Sequence, residues 1–112
     1  MQLTVIRSDD TITHVSIHGR LDIDGVNAVA DRFTFETAAR RRATLVDLSH
    51  VTFIASLGMG MLVGAAKSLN RHGAKMVLLA PNALVHESLH AAGIDSVIPI
   101  ARVEDEAKAL LA

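Results

Sequence analysis

Cysteine, tryptophan and tyrosine are absent from this chain of 112 residues. Phenylalanine occurs three times, at Phe33, Phe35 and Phe53, and proline twice. Without thiols there is no disulfide, no thiolate metal site and no thiol redox chemistry, as fits a cytoplasmic protein. With so few rings there is no stacking platform for single-stranded nucleic acid. An excess of either charge is also missing. Eleven Lys and Arg stand against twelve Asp and Glu, a formal net charge of −1, whereas a nucleic-acid-binding domain carries a strongly basic face. The one basic cluster, Arg40-Arg41-Arg42, reads as the end of a helix, where cations complement the dipole. The longest apolar stretch, Val51 to Ala66, is broken by Thr52, Ser56 and three glycines. It falls short of the ~20 residues a membrane span requires. The first residues show no basic-then-apolar leader pattern. A cytoplasmic protein with no nucleic-acid partner and no membrane insertion is expected.

What is present is a chain that is half hydrophobic, enough to bury one core. A single domain over residues 1–112 is expected, resting on Val, Ile, Leu, Met and Ala. Leu3 to Arg7 reads as a strand, Ser8-Asp9-Asp10 as a turn, and Thr11 to His18 alternates as a second strand closed by Gly19. The tight connection predicts an antiparallel hairpin. Asp22 or Asp24 can cap a helix that runs through Val26, Val29, Ala30, Phe33 and Ala38 to about Arg41. Ala43 to Leu48 is a buried strand, Ser49-His50 a polar turn, and Val51 to Ile54 a short extended continuation.

Ser56 then stands where a helix begins, in position to cap it, and Leu57 to Arg71 continues that helix to His72-Gly73. Its Gly58, Gly60 and Gly64 are weak helix formers and point to tight packing on the sheet. Lys75 to Ala80 is a further buried strand. Ala83 to Ala92 is a helix with Leu84, Val85 and Leu89 facing inward. Val97 to Ile100 is an edge strand interrupted by Pro99, and Val103 to Leu111 is a last helix with acids at its start. A hairpin followed by alternating helices and strands predicts an α/β domain with a mixed sheet.

Several residue groups could carry chemistry. His86-Glu87-Ser88-Leu89-His90 matches the H-E-x-x-H pattern, in which two histidines four apart on a helix share a zinc and the glutamate serves as base. Only Asp95, Glu104 and Glu106 are nominal third ligands, and ordinary surface histidines explain the pattern as well. His14 and His18 alternate on one strand face, which reads as solvated. Ser49 and His50 lack a third orienting group and a Gly-x-Ser-x-Gly elbow. Gly58-Met59-Gly60 lacks the lysine of a phosphate loop. No catalytic residue, metal site or cofactor is expected, and the protein is not read as an enzyme.

The run Asp47-Leu48-Ser49-His50-Val51-Thr52-Phe53-Ile54-Ala55-Ser56-Leu57-Gly58 resembles the signature of STAS domains, particularly bacterial anti-sigma factor antagonists. There a strand ending D-L-S is followed by an apolar pair and then D-S-x-G. Gly19-Arg20-Leu21-Asp22 is similar to the family's G-x-L-D, Gly73 to Leu78 to its G-x-x-L-x-L strand, and Leu89 to Ile94 to its L-x-x-x-G-[LI] helix end.

The resemblance implies a mixed sheet of four or five strands with helices mainly on one side, and a role in transcription regulation by partner switching. The unphosphorylated antagonist would bind an anti-sigma factor, a serine kinase of the ATP-binding histidine-kinase-like fold, and so free the sigma factor. Phosphorylation at Ser56 would end binding, and a phosphatase would reverse it. Asp22, Ala55, Ser56, Leu57, Gly58, Met59 and Met61 carry over as the partner-binding set, and a homodimer is compatible with it. Ala55 departs from the pattern, since the family places an acid there. That departure leaves an alternative: a non-phosphorylated STAS subunit of a lipid-transport ABC complex or another multiprotein assembly.

Overall fold

The alternation of the first twenty residues becomes an antiparallel ribbon in the computed structural model, which describes residues 1–112. Strands β1 (Gln2–Ser8) and β2 (Ile12–Leu21) pair with Leu3 opposite Ile17 and Val5 opposite Val15. Asp9 shapes the connection. Its carboxylate accepts the backbone N–H groups of Thr11 and Ile12 and the Arg7 Nε–H, a side-chain-mediated turn. Those bonds, Thr11's backbone bond first, hold its carboxyl far below the usual carboxylate range. β2 does not stop at Gly19. It continues to Leu21 through register shifts against the next strand, with Gly19 at φ 109°, a conformation open to glycine.

Helix α1 (Ile23–Glu36) ends earlier than its periodicity suggests. Thr37 closes the last turn by giving both its N–H and its hydroxyl to the Phe33 carbonyl, at 3.0 and 2.6 Å. A 3-10 turn (Ala38–Arg40) and left-handed Arg41 follow. The three arginines therefore lie beyond the helix, not on its last turn, and Arg40 pairs with Glu36 at 2.8 Å.

β3 (Ala43–Ile54) is one continuous strand of twelve residues. Ser49-His50 is not a turn. His50 stays extended and stacks its ring on His18 of β2, with centroids 4.4 Å apart. There follow α2 (Ser56–Arg71), β4 (Met76–Leu79), α3 (Ala83–Ala91), β5 (Ile100–Ala101) and α4 (Glu104–Leu111). β5 is shorter and later than expected, because a 3-10 turn occupies Ile94–Ser96 and Pro99 has no N–H to give a ladder.

The five strands lie in the order β1-β2-β3-β4-β5, the first pair antiparallel and the rest parallel. One face carries the main core. There Val15, Ile17, Val46, Leu48 and Leu78 meet Val29 and Phe33 of α1, Leu62 and Leu69 of α2, and Val85 and Leu89 of α3. Leu84, expected inward, is 59% exposed. The opposite face holds a cluster of five, Leu45, Val77, Leu79, Ala101 and Ala107, beneath α4. Three helices on one face and one on the other agree with the expected α/β architecture. His14 is a correction to the solvated-face reading. It is buried, its Nδ1 lies 3.9 Å from Glu104 of α4, and its Nε2 has no partner.

Candidate partner-docking site

The site is a corner where two helices leave adjacent parallel strands. Leu21 ends β2 opposite Ile54, which ends β3. One residue on, the Ala55 N–H donates to the Leu21 carbonyl at 3.0 Å. α1 and α2 thus start side by side, each after a single connecting residue, Asp22 and Ala55.

Glycines allow the crowding. A Cβ on Gly25 in the first turn of α1 would overlap the Arg20 carbonyl oxygen. A Cβ on Gly58 in the first turn of α2 would stand 3.0 Å from both the Leu21 Cβ and the Leu21 carbonyl oxygen. Both helix starts press on the same end of β2. Gly60 and Gly64 differ from the expected sheet packing: nothing lies within 4 Å of a Cβ built on either. With Val26, Ala30 and Ala38 they line an open apolar groove of about 500 Å³ between α1 and α2.

The two connecting residues play unequal parts. Asp22 caps α1, its Oδ1 accepting the Gly25 N–H at 2.9 Å. Its other oxygen, Oδ2, lies 3.3 Å from Arg20 Nε. The Gly25 backbone bond, and after it Arg20, holds the Asp22 carboxyl below its ordinary value. Ala55, not Ser56, is the N-cap of α2, and it supplies no side-chain acceptor. Ser56 is the first helical residue and exposed. The first turn of α2 therefore presents N–H groups that no side chain caps, with no acid beside them. That is the arrangement in which a helix start accommodates added negative charge.

Around Ser56 the surface is apolar. Leu57 is 48% exposed, and Ile23, the first residue of α1, is 65% exposed. Met59 and Met61 are half-buried against the main core, and Gly58 is buried beneath them. Arg20 was not singled out by sequence. Opposite it across the strands is Phe53, and its guanidinium carbon sits 4.4 Å from the centre of that ring. The register of β2 on β3 makes this pair, and residue spacing alone does not reveal that register.

The H-E-x-x-H residues take another arrangement. His86, Glu87 and His90 are exposed on α3. The His90 Nδ1 bonds the Asp95 carboxylate at 2.6 Å, and that bond raises the His90 pKa. No three metal-ligating side chains converge. Ser49 and His50 are within bonding distance, 3.2 Å, but on an exposed strand surface. No helix is long and apolar enough to cross a membrane.

Known proteins resemble this chain in sequence and fold. The STAS domain family model matches residues 4–107. An anti-sigma-B factor antagonist of Listeria monocytogenes is 28% identical over 103 residues, covering 90% of each chain. An anti-sigma F factor antagonist of Paenibacillus polymyxa is 29% identical over 89 residues, covering 77% of this chain and 74% of the relative. The crystal structure of an anti-sigma factor antagonist from Mycobacterium paratuberculosis superposes with a TM-score of 0.84 at 22% identity, covering 98% of this chain and 94% of that one. A family model that spans nearly the whole sheet and its helices, with the G-x-L-D end of β2 and the start of α2 in adjoining positions, places the chain in the STAS domain family.

Proposed function

We propose that this protein is an anti-sigma factor antagonist that works by partner switching, with Ser56 as its switch. The observation that carries the reading is an exposed serine on the first turn of a 16-residue helix whose N–H groups lack a side-chain cap. Unphosphorylated, the corner of Ile23, Leu57 and the neighbouring methionines offers an apolar surface to an anti-sigma serine kinase. A phosphate on Ser56 adds about −1.5 to −2 charge. The helix start tolerates that charge in the free protein, but a docked partner would have to desolvate it. Moving occupancy from 99:1 to 1:99 takes about 5.5 kcal/mol of differential affinity, within reach of one buried, unmatched dianion.

The test is phosphorylation and binding together. Purified protein incubated with its kinase and ATP is expected to yield phosphoserine at position 56 by mass spectrometry, and Ser56→Ala none. Ser56→Glu is expected to weaken kinase binding while Ser56→Ala retains it. No phosphoserine, together with Ser56→Glu binding as the parent does, overturns the switch.

Ala55 favours a second reading. It gives neither a cap nor the acid that precedes the serine in the family pattern, as suits a STAS subunit that is never phosphorylated, such as one in a lipid-transport ABC complex. Copurification with a transporter ATPase in place of a kinase selects that reading.

A further inference from the structure

The docking corner contains one cation already fixed in place. Arg20 lies at the end of β2, with its side chain 61% exposed. Phe53 supports the flat of its guanidinium at 4.4 Å, and Asp22 holds the Nε edge at 3.3 Å. Asp22 is held in turn, because its second oxygen caps α1. The Arg20 bond to Asp22 is made through Nε, and the guanidinium has further N–H donors on its terminal nitrogens.

A long surface side chain normally loses rotamer freedom on binding. Here the fold has already restricted that freedom. The remaining donors form a fork that matches a carboxylate in a two-point contact. Ile23 and Leu57 are apolar and exposed, so a carboxylate meeting Arg20 on their side would be partly shielded from water, whereas Asp24 shares the Arg20 hollow and disfavours an acid approaching from its side. Asp22 already makes one bond to the helix start and one to Arg20, which leaves the exposed guanidinium as the larger polar group at this end of β2.

We infer that Arg20 is the specificity-determining contact of this docking surface, and that it selects an anti-sigma partner presenting an acidic side chain at the matching position. The inference rests on the antagonist reading and adds the charge the partner must carry. Phe53 and Asp22 are positioning residues for it.

The experiment titrates the full chain with its anti-sigma kinase, identified by copurification with the unmodified protein, by calorimetry at ~0.05 and ~0.5 M salt. Arg20→Ala is expected to weaken binding about tenfold and Arg20→Glu about 100-fold, the range of a close charge pair across an interface. Arg20→Lys keeps the charge but not the fork and should fall between the unmodified protein and Arg20→Ala. The salt dependence of affinity should shrink in Arg20→Ala. Replacing one acidic residue of the kinase by arginine should restore binding to Arg20→Glu, a rescue that a purely structural role would not give.

If Arg20→Glu binds like the unmodified protein while Ser56→Glu still prevents binding, this inference falls and the antagonist reading stands. If Arg20→Ala leaves binding unchanged but alters the lifetime of phosphorylated Ser56, Arg20 serves the chain's own phosphate and the inference is likewise overturned. If the unmodified protein binds no anti-sigma kinase, both fall together.

Discussion

The two faces of the sheet are built differently. The face under α1, α2 and α3 joins 21 buried residues into one cluster, with Phe33 fully enclosed. The face under α4 joins five, and beside them leaves Asp47 and the His18–His50 stack partly or wholly open. Hydrophobic stabilisation follows buried apolar area, so the first face holds the fold and the second contributes less. The docking corner sits at the end of both, where strands stop and helices begin. Its framework is closely packed because Gly25 and Gly58 let the helix starts approach the end of β2, while Ile23 and Leu57 stay exposed.

Four measurements break or sharpen that contrast. The largest effect is expected from Phe33→Ala on the heavily covered face, about 3–5 kcal/mol lost in chemical denaturation. A loss under 1 kcal/mol would mean that the three-helix face does not dominate. The second carries the contrast onto one helix. Gly58→Ala, pressed on Leu21 and Ile54, is expected to cost about 1–3 kcal/mol. Gly60→Ala, with open space around it, should stabilise by about 0.5–1 kcal/mol through helix propensity.

The third tests the thinly covered face. His14→Leu replaces a buried ring whose Nε2 has no partner, and is expected to raise stability by about 1 kcal/mol. A loss of similar size would mean that the 3.9 Å pairing with Glu104 stabilises the seat of α4.

The smallest effect lies at the rim, in the His90–Asp95 pair. The side-chain bond to Asp95 is the largest cause of the raised His90 pKa, and the same bond lowers that of Asp95. The histidine's contribution is complete below its ordinary 6.5 and fades as pH rises through its higher folded value. The carboxylate's contribution is present above its ordinary 3.8 and fades as pH falls through its lower folded value. The pair is therefore intact between those limits. In Asp95→Asn, an NMR titration of His90 should return to about 6.5, with the melting temperature nearly unchanged because His90 is exposed and Asp95 only half-buried.

Where local pattern and tertiary context agreed, the sequence was legible. The hairpin, the alternation of helices and strands, the α2 start near Ser56 and the Gly73 stop all follow from periodicity and turn chemistry. Four features were not legible, each for a physical reason. Ser49-His50 has the composition of a turn but lies in β3, because the sheet surface there is uncovered and His50 finds a ring to stack on. His14 has the polarity of a solvent-facing strand residue, but a helix some ninety residues later in sequence folds across it. Ser56 is a good capping residue, yet Ala55 already bonds the Leu21 carbonyl and occupies the cap position, which leaves the serine one step inside the helix. The Arg20–Phe53 pair also depends on long-range register, which no single strand encodes.

The double engagement of Asp22 has a consequence for substitutions at this corner. One carboxylate both starts α1 and steadies Arg20, so a change at position 22 would disturb the helix start and the proposed contact at once. Position 20 carries no such dual duty. If Arg20 meets the partner as proposed, a change of sign at 20 alone would redirect the surface toward a partner of the opposite charge while leaving the Asp22 bond to Gly25 in place.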